Sequence, residues 1–250
     1  MTVLLVHGAW QGSWAWERLT PLLLEAGLDV QLLDLPGNGS DDTDPADVSL
    51  DLYVAAVKRH LSAIQGGVSI VAHSGAGVVA SQVAEAYPEL IDSVVYVAGM
   101  MLPDGLSFAE VVASVLDHDP SAAGIGPHLV WSEDRLTSRV PIEAARLIFY
   151  QDCSDDLAEA AARRLTPQPE RGRAVCPRLS PERFGRIPRL YIETSNDRSV
   201  VLAVQRRMQA LVPGATVASL PTGHAPQLAA PKKLADCIIP WLRATPEMRG

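Results

Sequence analysis

The chain has 250 residues, of which 48% are hydrophobic and 20% charged, a balance that suits one large α/β domain with a buried core and excludes a disordered chain. Its formal net charge is −8 and its 21 basic residues are scattered, so the basic stripe that nucleic acid or an anionic membrane surface requires is missing. No apolar stretch approaches the roughly eighteen residues of a membrane span, and the opening MTVLLVHG lacks a basic n-region, so a cytoplasmic protein acting on a small neutral molecule is expected.

Short apolar runs at residues 3–6, 30–33, 68–72, 94–98, 190–192 and 217–220 are each bounded by turn residues, the pattern of strands buried on both faces of a parallel sheet. Helical patterns lie between them. One begins near Thr20-Pro21, and others span 75–87 and 200–211 or start at Pro231. The clearest repeats Leu50, Val54, Val57, Leu61 and Ile64, with Ser49 placed as N-cap and Gly66-Gly67 as the stop. Strands alternating with helices predict a doubly wound α/β sheet. Between residues 105 and 186 the strand signal disappears, while 141–150 and 154–164 read as helices. The division expected is therefore a core of residues 1–104 and 187–250 carrying a helical cap insertion at 105–186.

Cys153, Cys176 and Cys237 are far apart and outside any C-x-x-C pattern, so free thiols are expected rather than a disulfide framework or a zinc knuckle. His7 and His73 have no metal-ligand spacing with a carboxylate or thiol, and their expected roles are packing and backbone bonding.

The stretch AHSGAGVVA at residues 72–80 fits both a relaxed G-x-S-x-G nucleophile elbow and a G-x-G-x-x-A dinucleotide fingerprint. The fingerprint needs a carboxylate about twenty residues on, at the end of the next strand. That strand ends Tyr96-Val97-Ala98-Gly99, and Asp92 precedes it, which argues against a nicotinamide oxidoreductase. The elbow pattern also occurs at Gly105-Leu106-Ser107-Phe108-Ala109, but no strand feeds that serine. Ser74 follows an apolar run and opens a helical pattern, and Ala72, Gly75, Ala76 and Gly77 meet the demand of a strained elbow for small neighbours.

A nucleophilic serine needs a base and an orienting acid, in the chain order Ser, acid, His for this elbow. Beyond residue 186 the sequence offers one histidine, His224, in PTGHAP just after the last strand run. Asp197, in the loop after RLYIE, is the candidate acid, with Glu193 and Asp104 as rivals. The backbone N–H groups of Gly75 and Ala9 are the candidate oxyanion donors, Ala9 because the HGAW loop follows the first strand. Trp10, Trp131, Phe149 and Tyr150 are candidate pocket residues on composition alone, with ordinary core packing as the equal alternative.

With HGAWQGSWAW, DLPGNG, AHSGAG, LYIETSNDRSV and PTGHAPQL in this order, the chain resembles the α/β-hydrolase superfamily. Within it, the likeness is to short bacterial esterases related to plant methylesterases and hydroxynitrile lyases, including pyrethroid-hydrolysing carboxylesterases. The resemblance implies a six-stranded parallel sheet and a cofactor-free hydrolase of small ester substrates, with Ser74 as nucleophile, His224 as base and Asp197 as acid. The lyases of that group carry lysine after the histidine; Ala225 stands here, which argues against cyanohydrin cleavage. A triad-retaining ligand receptor and a cofactor-free oxygenase of the same fold remain alternative readings, and association into a homo-oligomer stays open.

Overall fold

A computed structural model describes residues 1–248. Its centre is a six-stranded sheet of β1 (Thr2–Val6), β2 (Asp29–Leu33), β3 (Val68–His73), β4 (Ile91–Val97), β8 (Arg189–Thr194) and β9 (Thr216–Leu220). The spatial order is β2-β1-β3-β4-β8-β9, and every pairing is parallel. The chain first steps outward from β1 to β2 and then returns to β3, so the switch of direction falls between β1 and β3. Open α/β sheets bind ligands at such a switch, beyond the carboxyl ends of the strands.

Alternation along the strands divides the core into two layers. Leu4, Val6, Ile70, Ala72, Val94 and Tyr96 pack against α2 (Leu50–Leu61) and α3 (Ala76–Ala86). Val3, Leu5, Val71, Val95 and Val97 face α1 (Thr20–Glu25) and α10 (Pro231–Met248) on the opposite side. Helix α2 starts where its sequence predicts, with the Ser49 hydroxyl accepting the Leu52 N–H. Continuous apolar runs mean burial on both faces only for β1, β3, β4 and β8; β2 and β9 are edge strands with partly exposed residues. Among the described residues no helix is long and apolar enough to cross a membrane.

After residue 104 the chain leaves the sheet and returns to it at residues 177–179, where the Gly105 N–H donates to the Pro177 carbonyl and the Leu179 N–H to the Asp104 carboxylate, and Leu179 and Phe184 pack in the core; the expected insertion of 105–186 includes this return. The segment holds α4 (Phe108–Leu116), α5 (Ile142–Ile148), α6 (Asp155–Arg163) and the one-turn α7 (Glu170–Arg173). It also holds a small antiparallel sheet of β5 (Val130–Trp131), β6 (Thr137–Arg139) and β7 (Gln168–Pro169), where sequence patterning predicts no strand. Strands of two or three residues are too short to show a period of two. Helix α8 (Leu202–Leu211) contributes Val204 and Met208 to an apolar cluster with Val111 of α4 and Val78 of α3, tying the segment to the core. A single short turn, α9 (Pro226–Ala229), lies between β9 and α10.

Candidate active site

Ser74 is the residue after β3, and its backbone is left-handed at φ 52°, a conformation that costs a residue with a side chain about 1–2 kcal/mol. The turn is fixed on both sides: the Ser74 N–H donates to Val97 O at 3.1 Å, and its carbonyl accepts from Gly77 N–H (3.0 Å) and Met100 N–H (2.8 Å). The demand for small neighbours acts at particular positions. A Cβ on Gly77 would lie 2.7 Å from the Met100 nitrogen, whereas one on Gly75 would meet nothing closer than 3.9 Å. Gly8 is constrained as well, since a Cβ there would fall 2.8 Å from His73 Nδ1 and 3.0 Å from Ser74 Cβ.

The structure brings Ser74, His224 and Asp197 into one hydrogen-bonded series. His224 Nε2 lies 3.1 Å from Ser74 Oγ, and its Nδ1 lies 2.8 Å from Asp197 Oδ2. All three side chains are buried. The Asp197 carboxylate also accepts from the N–H groups of Ser199 (2.7 Å) and Val200 (2.9 Å) and from the Thr194 hydroxyl (2.9 Å), so four donors fix its orientation. The rival acids stand elsewhere: Glu193 pairs with Arg206 at 3.1 Å, and Asp104 accepts from Leu179. Ser107, in the second elbow-like pattern, caps α4 in a reciprocal pair with Glu110.

Two further histidines hold this arrangement. The His73 Nε2–H donates to the His224 carbonyl at 2.8 Å, and its ring sits 4.7 Å from that of His224. Burial, with a smaller contribution from the neighbouring His224, lowers the His73 imidazole well below the usual histidine range. His7 is likewise lowered by burial. Its Nε2 accepts the Leu35 N–H at 3.1 Å, which leaves the proton on Nδ1 to bond Gly8 O at 2.8 Å. That carbonyl belongs to the same peptide unit as the Ala9 N–H. Among the described residues, neither the Ala9 nor the Gly75 N–H donates to a protein acceptor, as the geometry of an anion-stabilising pair requires.

Trp10, next along, is left-handed at φ 62°, and its polar contacts go to residues 105–186. Its N–H donates to Gln168 Oε1 at 3.0 Å, its carbonyl accepts from Thr166 N–H at 2.9 Å, and its indole N–H reaches Ser138 Oγ at 3.1 Å. The ring stacks on Phe149 with centroids 6.0 Å apart.

Ser74 opens on a cavity of about 470 Å3 whose walls include Trp10, Met100, Phe108, Val112 and Ile125. A larger groove of about 700 Å3 runs beside the β2 edge, lined in part by Asp29, Asp41 and Arg59, and contains none of the three linked residues. Of the four aromatic candidates, Trp10 lines the cavity and three do not. Trp131 is 37% exposed, with the Arg135 guanidinium 4.6 Å over its ring. Tyr150 is fully buried, its hydroxyl accepting from Gln11 Nε2 at 3.3 Å. Phe149 packs behind His224, with ring centroids 5.3 Å apart. Aromatic composition does not separate pocket walls from core, and here the core claims two of the four. Sequence reasoning missed Met100, Phe108, Val112, Ile125 and Arg173, none of which sits in a recognisable motif. No group of three or more histidine, cysteine or acidic side chains among the described residues is arranged to hold a metal ion.

An alcohol, an imidazole and a carboxylate in series, beside two free backbone donors, can deprotonate the alcohol and stabilise an oxyanion. Known proteins resemble the chain over most of its length. The pyrethroid hydrolase of Sphingobium wenxiniae is 28% identical, the alignment covering 99% of this chain and 89% of that protein. Norfluorocurarine synthase 1 of Strychnos nux-vomica is 30% identical, with 80% of this chain and 79% of that protein covered. The crystal structure of a pyrethroid hydrolase from Sphingobium faniae JZ-2 superposes with a TM-score of 0.86 at 26% identity, covering 99% of each chain. The sequence profile of the alpha/beta hydrolase family spans residues 3–237, and the chain belongs to that family.

Proposed function

We propose that the protein is a serine esterase that cleaves carboxylic esters of small to medium apolar substrates through an acyl-enzyme intermediate. One observation carries the reading: the unbroken hydrogen-bond series Ser74–His224–Asp197, at 3.1 and 2.8 Å, whose serine opens on a largely apolar cavity. Its likeness to the pyrethroid hydrolase and to methylesterase 8 of Arabidopsis thaliana, 25% identical over 94% of this chain, supports ester substrates. The three cysteines, which form no disulfide with one another, suit the cytoplasm as the site of action.

In this mechanism Ser74 Oγ attacks the ester carbonyl while His224 Nε2 takes its proton. Asp197 holds the imidazole in the required tautomer and stabilises the imidazolium. The oxyanion is received by the N–H groups of Ala9 and Gly75. His224 then passes the proton to the departing alkoxide as the carbon–oxygen bond breaks, leaving the acyl group on Ser74. Water, deprotonated by His224, attacks the acyl carbon; Ser74 recovers its proton and the acid departs.

A fluorophosphonate probe followed by peptide mapping is expected to mark Ser74. Ser74→Ala is expected to lower kcat on p-nitrophenyl butyrate by roughly a million-fold, as when a member of a triad acting as a unit is removed. Turnover surviving that substitution within about tenfold would overturn the assignment and favour chemistry that bypasses the serine.

A further inference from the structure

The cavity above Ser74 is walled mainly by apolar residues, with Ser107 and Ser199 as neutral polar ones. Among the described residues that line it, Arg173 is the only charged side chain. Its side chain is 24% exposed and is fixed along one edge: Nε donates to Glu170 Oε1 and Oε2 at 3.0 and 2.9 Å, and Nη2 donates to Oε2 at 2.7 Å. Glu170 is in turn bonded by the Ser138 hydroxyl, which accepts the indole N–H of Trp10. The guanidinium lies 5.6 Å from the centre of the Trp10 ring, which closes the circuit. Gly172 lets the backbone beside Arg173 pack closely on Tyr53, since a Cβ there would fall 2.3 Å from the Tyr53 hydroxyl oxygen.

A counterion for buried Glu170 needs only the Nε–Nη2 edge. Nη1 has no protein acceptor among the described residues, although a guanidinium carries two donors there. A side chain fixed along one edge, with a donor pair that the protein does not use, on the wall of a cavity otherwise lined by neutral groups can serve as a recognition element. A ligand that displaces water from it without supplying an acceptor leaves those N–H groups unpaired.

We propose that Arg173 selects esters that carry a second, neutral acceptor oxygen, such as a ketone carbonyl, apart from the scissile ester. Neutrality follows from Glu170, whose carboxylate already balances the guanidinium. A substrate carboxylate would bring one uncompensated negative charge into an apolar enclosure. The inference deepens the esterase reading and rests on it for the substrate's chemical class.

The test uses matched esters: butyl pentanoate against butyl 4-oxopentanoate, butyl hexanoate against butyl 5-oxohexanoate, and butyl butyrate against 3-oxobutyl butyrate. The wild type is expected to prefer the oxo ester by about tenfold or more in kcat/KM in at least one pair. The double variant Arg173→Met with Glu170→Gln, which removes the donors without stranding the carboxylate, is expected to bring that ratio near one. Because each ratio is taken within one preparation, the fraction of folded protein cancels. Equal ratios in wild type and variant would leave Arg173 as a structural counterion and overturn the proposal. Faster cleavage of monobutyl glutarate than of the oxo esters would overturn the neutral acceptor. Dissociation constants of the same esters with Ser74→Ala read the preference without turnover. If the wild type hydrolyses none of them, the esterase reading fails, while the recognition proposal is still decided by the binding ratio.

Discussion

The two loops that meet at the proposed reacting centre are held in different ways. The Ser74 turn is fixed by the sheet and its first helix, through Val97, Gly77 and Met100. The Ala9-Trp10 loop is fixed at Gly8 by His7, but at Trp10 by Gln168, Thr166 and Ser138, all from residues 105–186. Both loops contain a non-glycine residue in the left-handed region, Ser74 at φ 52° and Trp10 at φ 62°. Such a conformation persists only where its surroundings over-determine it. The proposed nucleophile is thus held by the core, whereas one proposed oxyanion donor depends on the segment that also roofs the cavity.

This contrast can be broken from either side. On the core side, Asp197→Asn is expected to leave the fold intact and lower kcat by about ten-thousand-fold on p-nitrophenyl butyrate, because the amide favours the wrong imidazole tautomer. Stopped assays with matched circular dichroism check both halves of that statement. On the other side, Gln168→Ala removes the acceptor of the Trp10 N–H. It is expected to lower kcat by about ten- to a hundredfold, less than the loss of a whole oxyanion donor, with a smaller change in KM. An unchanged kcat would show that His7 and Gly8 alone fix the donor.

Smaller effects sharpen the comparison through stability. Gly77→Ala places a methyl group against the Met100 backbone and is expected to cost about 1–3 kcal/mol, read as a lower midpoint in urea. Gly75→Ala, whose methyl group would meet nothing closer than 3.9 Å, serves as the control. The buried histidines predict a pH dependence of definite sign. His7 and His73 have folded-state pKa values below their ordinary 6.5, so below about pH 6.5 the unfolded chain binds protons that the folded chain refuses. Stability is therefore expected to fall as the pH drops from 6.5 toward 5, by up to about 1.4 kcal/mol per pH unit for each histidine. Urea titrations at pH 7.5, 6.5 and 5.5 measure the slope, and His7→Gln should reduce it. A flat profile over that range would mean that the two rings are protonated in the folded protein.

The centre of the sheet was legible because burial on both faces demands unbroken apolar runs, as in VLLV and VSIVA. Ser74, Asp197 and His224 were legible because each stands just past such a run, and chain order limits the choice of partners. Trp10 was visible only as an aromatic residue; nothing local announces a left-handed backbone stabilised by Gln168, 158 positions away. Arg173 was hidden among the arginines of 171–186, where a sequence reads as a solvated stretch. The Glu170–Arg173 spacing suits an i,i+3 pair, but only the fold places that pair against a cavity. Trp131 and Tyr150 mark the opposite failure, since their size suggested a wall and their positions are a surface hairpin and the core.

The meeting of the Gly105 N–H with the Pro177 carbonyl gives residues 105–177 a shared doorway. A stretch with adjoining ends can be exchanged for another of different length at little conformational cost to the chain that hosts it, which makes it suited to the diversification of substrate choice. The freedom has one condition: any replacement must present a hydrogen-bond acceptor to the tenth residue, or the new specificity would arrive with a disarmed catalyst.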